Sequence, residues 1–360
     1  MALSNTMHLV VIPGDGIGPE ITAATTAVLE AASEKFGLNL RLDPASAGKE
    51  SLAEHGITVL PGLVEKIMAA DGLVLGPMST FDYTDESKGG INPSMLFRKK
   101  LDLFANIRPA RTYKGVKHNA VADFDLVIVR ENTEGFYADR NMESGSSDIL
   151  VTPDINISLR RITRVCCNRI ARSAFRLAMT RKRHVTAVHK ANVLKVGDGM
   201  FLEECRKVAK EFPEVVLDEV IVDAMAALLI RNPQKYDVIV TTNMFGDILS
   251  DLTAEMSGSL GLAGSLNAGV DHAMGQAAHG SAPDIAGLDL ANPLSMILSA
   301  QMLLAWLGTR HGQPALIQAA EAIETAAMRM MQAGESTRDI GGKLGTRAFG
   351  EAMAGRMAAA

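Results

Sequence analysis

The sequence predicts an α/β fold built on a large, mostly parallel mixed sheet. Short apolar, β-branched runs alternate with longer helical segments, as expected of strands covered on both faces by helices. Residues with chemistry to offer also stand directly behind these runs: Arg130, Lys190, Asp223 and the stretch Asn243 to Asp251. In a parallel sheet the carboxyl ends of the strands face one crevice, and ligands bind there. A length of 360 residues leaves room for two domains.

Met7 to Ile12 is an apolar strand leading into PGDGIGPE, and Ile21 to Ala32 sets Ile21, Ala24, Val28 and Ala31/Ala32 on one helical side. Leu38 to Leu42 alternates as a strand. Leu60 to Ala70 is helical, and Leu73 to Leu75 is a buried strand ended by Gly76-Pro77. Met78 to Pro93 is polar and aperiodic, a loop long enough to signal function. Ser94 to Leu103 reads as a basic helix, Phe124 to Val129 as a strand stopping at Arg130, and Asp139 to Pro153 as a polar excursion. Arg160 to Arg183 is helical, with Ile162, Val165, Cys166, Ile170, Ala174 and Leu177 inward and an arginine-rich solvated or partner-facing side. Val185 to Val188 and Val216 to Val222 are strands leading to His189-Lys190 and Asp223. Tyr236 to Thr242 is a buried strand, Asn243 to Gly246 a turn, and Ile248, Leu249 and Leu252 then recur at helical spacing. Glu255 to Gly280 is rich in Gly, Ala and Ser. The remainder is mainly helical, broken at Asp339 to Gly345.

Bulk properties exclude several function classes. The composition, 47% hydrophobic and 21% charged, is that of a globular protein. A net charge of −5 gives no pull towards nucleic acid or an anionic membrane, and 4% aromatics leave little for base stacking. Cys166, Cys167 and Cys205 form neither a disulfide framework nor a zinc spacing. No signal-peptide pattern precedes the first strand and no apolar run reaches membrane length, so the cytoplasm is the expected compartment.

Asp247 and Asp251 stand four apart, on one helix face just beyond a strand. Such a pair is half an oxygen shell for Mg²⁺ or Mn²⁺, although acids near a helix N-terminus also serve the helix dipole alone. Arg130, Lys190 and Asp223 at the same edge favour a ligand site over a self-contained ion-pair cluster. The glycine loop does not make this a dinucleotide-binding Rossmann fold. Gly14, Gly16 and Gly18 alternate, and Pro19 stands where GxGxxG needs its third glycine. Pro19 instead fits the first turn of a helix, and the glycines permit a close backbone approach.

The motifs IPGDGIGPEI, FRKKLDLFANIRPAR, VRENTEGFY, HKANVL, VDAM, TTNMFGDILSD, GSLGLAGS, HGSAPDIAG and ANP run nearly end to end. Together they resemble the isocitrate/isopropylmalate dehydrogenase family of β-decarboxylating dehydrogenases. The resemblance implies an isopropylmalate dehydrogenase-like fold of two α/β domains with the active site in the cleft. Residues 1–103 and 257–360 would form the cofactor side. Residues 104–256 would form the dimerisation and metal domain, with an arm near 139–160 clasping a second subunit. It further implies a homodimer with shared sites, Lys190 and Asp223 being lent across the interface.

Carried over residue by residue, Arg98, Arg108 and Arg130 match the substrate arginines, whose forked donors suit carboxylates. Asp247 and Asp251, with Asp223 from the other subunit, match the metal ligands. Lys190 would take the C2 hydroxyl proton, its basicity lowered by nearby positive charge and burial. Tyr137 would return a proton to C3, and Asn192 would support the site. His279, Gly280, Asp284, Ile285 and Asn292 match the adenosine-side contacts. Asp284 would accept from the ribose hydroxyls and repel a 2′-phosphate, which implies NAD. The substrate-selecting segment carries Asn92, Ser94, Met95, Leu96 and Phe97. It mixes the leucines of isopropylmalate enzymes with the serine and asparagine of isocitrate enzymes. The first choice of substrate is therefore 3-isopropylmalate or a similar 3-alkylmalate, ahead of isocitrate or homoisocitrate and then tartrate or D-malate. A non-catalytic regulatory subunit is the remaining alternative, set against the presence of Lys190, Tyr137, Asp223, Asp247 and Asp251. One departure stands out: Gln276-Ala277-Ala278 lies where family members carry an acidic residue and a proline.

Overall fold

The computed structural model describes residues 6–83, 88–136 and 147–359. Tyr137 and the start of the polar excursion lie outside them. The chain divides into two compact units, one of Met1–Leu101, Tyr113–His118 and Gly258–Ala360, the other of Asp102–Thr112 and Asn119–Ser257. Along the chain the strands are β1 (Met7–Ile12), β2 (Leu40–Pro44), β3 (Gly72–Leu75), β4 (Ala105–Arg111), β5 (Asp125–Glu131), β6 (Asp148–Thr152), β7 (Ile155–Ser158), β8 (His184–His189), β9 (Val216–Ile221), β10 (Val238–Thr241), β11 (Leu266–Ala268) and β12 (Ala273–Gln276).

In the first unit the strand order is β2-β1-β3-β12-β11, parallel except for β11 against β12. In the second it is β4-β5-β10-β8-β9, parallel except for β4 against β5. This is the mostly parallel α/β arrangement that the alternating pattern predicts.

The second unit shows why its strands lack polar alternation. On β5, Val127 and Val129 enter a core with Cys167, Ile170, Ala174 and Phe175 of helix Arg164–Met179. Leu126 and Ile128 enter another, with Met225, Leu229 and Leu249. Both faces are covered, so the run Leu126 to Val129 is apolar at every position. Because β5, β10, β8 and β9 all run the same way, their carboxyl ends share one edge.

Several local expectations need correction. Helix Arg164–Met179 starts later than predicted, because the Thr163 hydroxyl caps it by accepting from the Cys166 amide at 3.3 Å. Its buried side is Cys166, Cys167, Ile170, Ala171, Ala174, Phe175 and Ala178, so the expected Cys166, Ile170 and Ala174 are inward, while Val165 is exposed. Three of its arginines pair with acids: Arg164 with Glu203 at 2.7 Å, Arg172 with Glu211 at 2.6 Å and Arg169 with Asp102 at 2.8 Å. Asn243 to Gly246 is no turn. It is the first turn of helix Asn243–Met256, in which Leu249 is buried and Ile248 exposed. At the end of the polar excursion and just beyond it, β6 and β7 pair as a hairpin whose Leu150 and Ile155 stand open to solvent. Among the described residues no helix is long and apolar enough to cross a membrane.

The glycine loop spends its amides internally. The Asp15 amide donates to the Pro77 carbonyl at 2.8 Å and the Ile17 amide to the Ser281 carbonyl at 2.9 Å. Gly16 has φ +58°, and a Cβ there would lie 2.0 Å from the Ser281 oxygen. Replacing Gly16 with Ala combines left-handed strain with a backbone clash, and is expected to destabilise the protein by about 1–3 kcal/mol. Thermal or urea denaturation checks this, and an unchanged midpoint would contradict it.

Candidate active site

The residues of interest in the second unit gather where β5 and β10 end. Arg130, in β5 beside Thr241 of β10, is only 2% exposed. Its Nε and Nη2 donate to Asn243 Oδ1 at 2.9 and 2.7 Å, and its Nη1 contacts Asp247. The Asn243 amide group in turn donates to the Glu134 carbonyl at 2.8 Å. Arg130 can lie there because residue 246 is glycine. A Cβ on Gly246 would stand 2.6 Å from both Cβ and Cγ of Arg130.

Arg108, on β4, reaches the next turn of the same helix. Its Nη1 donates to Ser250 Oγ at 2.7 Å and to Asp251 Oδ1 at 3.1 Å, and lies 3.4 Å from Asp247 Oδ1. Two guanidinium groups and two carboxylates thus share one helix face, as the four-residue spacing predicts. Neighbouring protein pushes the Asp251 carboxyl above its ordinary range, although 59% of the side chain stays open to solvent. Arg108 opposes that shift and the charge on Asp247 adds to it. The two carboxylates offer the hard oxygen donors that Mg²⁺ or Mn²⁺ prefers, so the donor set fits such an ion.

Lys190 and Asp223 form a separate pair. The Lys190 ammonium contacts Asp223, and this holds the Asp223 carboxyl below its usual range. The Lys190 amide donates to the buried Asp198 Oδ2 at 2.5 Å, while Asp198 Oδ1 accepts from Arg160 Nη1 at 2.6 Å. Arg160 then donates to Thr242 Oγ1 at 3.1 Å and lies 5.6 Å from the Phe245 ring centroid. The turn bearing Lys190 is thereby fastened to the start of the aspartate helix. Asn192, two residues on, is exposed. Among the described residues, no group of three His, Cys, Asp or Glu side chains is placed to hold a metal ion within one chain.

In the first unit, Asn92 caps helix Pro93–Lys100, its side chain accepting from the Met95 amide at 3.3 Å. Ser94 and Arg98 both meet Gln276, at 2.6 and 2.8 Å. The half-buried His279 ring is held below its ordinary value by surrounding protein, against the opposing pull of the Gly280 carbonyl and Asp339. Asp284 is exposed on the turn closed by the Ile285 amide and the Ala282 carbonyl at 3.2 Å. Gly280 has open space where a Cβ would stand. The Asn292 side chain is engaged with Asp339 and the Leu294 amide, each at 3.0 Å, and so fixes the start of helix Leu294–His311.

Spacing does not single out Asn243, Gly246 and Ser250, which carry no charge, or Asp198, a lone acid eight residues past Lys190. The one available signal was position: Asn243 and Gly246 stand between a strand and a pair of aspartates.

The chain matches the isocitrate/isopropylmalate dehydrogenase family over residues 8–353. It is 40% identical over 357 residues to the 3-isopropylmalate/3-methylmalate dehydrogenase of Methanocaldococcus jannaschii, covering 98% of this chain and 99% of that protein. It is also 40% identical to the isocitrate/homoisocitrate dehydrogenase of Thermus thermophilus, over 96% of this chain and 97% of that protein. The crystal structure of isocitrate dehydrogenase from Methylococcus capsulatus aligns with it at a TM-score of 0.86 and 38% identity, covering 98% of this chain and 100% of that one. The chain belongs to the isocitrate/isopropylmalate dehydrogenase family of decarboxylating oxidoreductases.

Proposed function

We propose that the protein oxidises the C2 hydroxyl of a 3-substituted (2R)-malate with NAD and a divalent metal, and releases CO₂ to give a 2-oxo acid. The observation that carries this reading is the meeting of two buried arginines with two aspartates beyond adjacent strands. Guanidinium forks bind carboxylates through paired donors, and aspartates bind hard cations. Arg108 and Arg130 now direct donors at Asp247 and Asp251. With those carboxylates turned to a cation, the same donors face the substrate's carboxylates.

Asp247 and Asp251 would hold Mg²⁺ or Mn²⁺ together with Asp223 of the partner subunit. When bound, the ion would supply Lewis acidity for the oxidation and decarboxylation, and NAD would supply the hydride acceptor. Lys190 of the partner subunit takes the C2 hydroxyl proton, Tyr137 delivers a proton to C3, and Asn192 supports the substrate. Sharing between copies accords with two features of the single chain. Lys190 and Asp223 pair with one another on the surface, and the β6–β7 hairpin leaves apolar side chains uncovered. The adenosine of NAD would meet His279, Gly280, Ile285 and the segment fixed by Asn292. Exposed Asp284 suits a ribose diol and repels a 2′-phosphate.

The experiment is turnover of 3-isopropylmalate, isocitrate, homoisocitrate, tartrate and D-malate with NAD and Mn²⁺. NADH and CO₂ should appear in equal amounts on at least one substrate and cease with EDTA. Full turnover in EDTA, or no turnover on any of the five, would refute the reading. Gly246→Ala should displace Arg130 and lower kcat/KM about 10- to 100-fold while the protein stays folded. Unchanged steady-state kinetics would show that Arg130 has no part in binding.

A further inference from the structure

Asp198 lies in the first turn of helix Gly197–Ala209, and its side chain is fully buried. The helix that carries it is firmly seated. Phe201, Leu202, Cys205 and Val208 pack into the same core as Val185 and Ala187 of β8, the strand that leads to Lys190. From this base the two carboxylate oxygens face different segments. Oδ2 accepts from the Lys190 amide at 2.5 Å, and Oδ1 accepts from Arg160 Nη1 at 2.6 Å. A carboxylate out of water is costly alone, and the guanidinium balances it.

The two contacts differ in what else holds each partner. Arg160 keeps other grips on the aspartate helix. Its Nη2 donates to Thr242 Oγ1 at 3.1 Å, and its guanidinium lies 5.6 and 5.7 Å from the ring centroids of Phe245 and Phe136. Asn243 anchors the same helix start independently, through Arg130 at 2.9 Å and the Glu134 carbonyl at 2.8 Å. Lys190 has less. Its carbonyl accepts from the Val193 and Leu194 amides at 2.9 and 2.8 Å, both within its own turn. Asp198 is what ties its amide to the next helix. Loss of that carboxylate therefore releases the lysine far more than it releases the aspartates.

We propose that Asp198 is a positioning residue for Lys190, and that it governs proton removal in the neighbouring subunit's site, not in the site built on its own chain's aspartates. This rests on the proposed malate oxidation and on Lys190 being lent across the dimer. The carboxylate is spent on the Lys190 amide and on Arg160, so it acts through the lysine's backbone, by setting where the side chain starts. A base displaced by about 1 Å loses roughly two orders of magnitude in rate although its chemistry is unchanged.

The test uses Asp198→Ala with the malate that wild type turns over best, NAD and Mn²⁺. The variant homodimer should lose about 10- to 100-fold in kcat with little change in the KM for malate or NAD, because only the base is displaced. The variant is then unfolded and refolded with either Asp247→Asn or Lys190→Ala protein. Mixed with Asp247→Asn, the one site with both aspartates takes its lysine from a chain whose Asp198 is intact. It should match the mixture of Lys190→Ala with Asp247→Asn. Mixed with Lys190→Ala, the one site with a lysine takes it from the Asp198→Ala chain, and activity should stay about 10- to 100-fold lower. With that reference mixture active, equal recovery in both mixtures, recovery in neither, or a raised KM at unchanged kcat would overturn the assignment to Asp198 and leave the shared oxidation standing. An inactive reference mixture would overturn the shared site and the assignment together.

Discussion

Two guanidinium groups have to be kept charged while almost out of water, and the architecture at the ends of β5 and β10 answers that requirement. Arg130 and Arg108 are 2% and 8% exposed. An isolated buried cation would be costly, so each is surrounded by oxygen: Asn243 and Asp247 for Arg130, Ser250 and Asp251 for Arg108. All four partners lie on helix Asn243–Met256, and Gly246 lets that helix sit against the Arg130 stem. The helix is therefore a rack of acceptors whose placement follows from strand direction and from one missing side chain.

That arrangement also explains why the carboxylates can do two jobs. Asp247 and Asp251 neutralise the arginines in the chain as it stands, yet Asp251 is pushed above its ordinary range by its surroundings and by Asp247. A cation would relieve the same repulsion. The lysine and its aspartate follow a different logic. Lys190 is held at its backbone by Asp198, which also anchors Arg160 beneath the aspartate helix, and its ammonium reaches outward to Asp223. A rigid turn carrying an outward-reaching pair is what a subunit would present to a neighbour.

Much of this was legible in the sequence, for physical reasons. Strands buried on both faces appear as unbroken apolar runs, so the α/β class could be read directly. Arg130, Lys190 and Asp223 were conspicuous because charge interrupts or follows such runs. The 3- and 4-residue strands β11 and β12 were hidden, since Ala and Gly carry little periodic signal. The start of helix Arg164–Met179 was hidden because a single capping hydroxyl, Thr163, sets it, and Val165 in its first turn faces solvent, whereas Cys166, Ile170 and Ala174 are buried as their spacing predicts. Neutral partners such as Asn243, Ser250 and Gln276 have meaning only through what they touch. Gln276 was visible as a departure, but its hydrogen bonds to Ser94 and Arg98 required coordinates.

The central claim is that one working site needs Asp247 and Asp251 from one copy with Lys190 and Asp223 from another. Mixing subunits tests it most directly: Lys190→Ala and Asp247→Asn proteins, each inactive alone, are unfolded together and refolded. In a mixed dimer one site would keep an intact lysine and an intact aspartate. With half the dimers mixed and one of their two sites whole, roughly a quarter of wild-type activity should return. Mixtures that form dimers yet stay inactive would contradict the shared site.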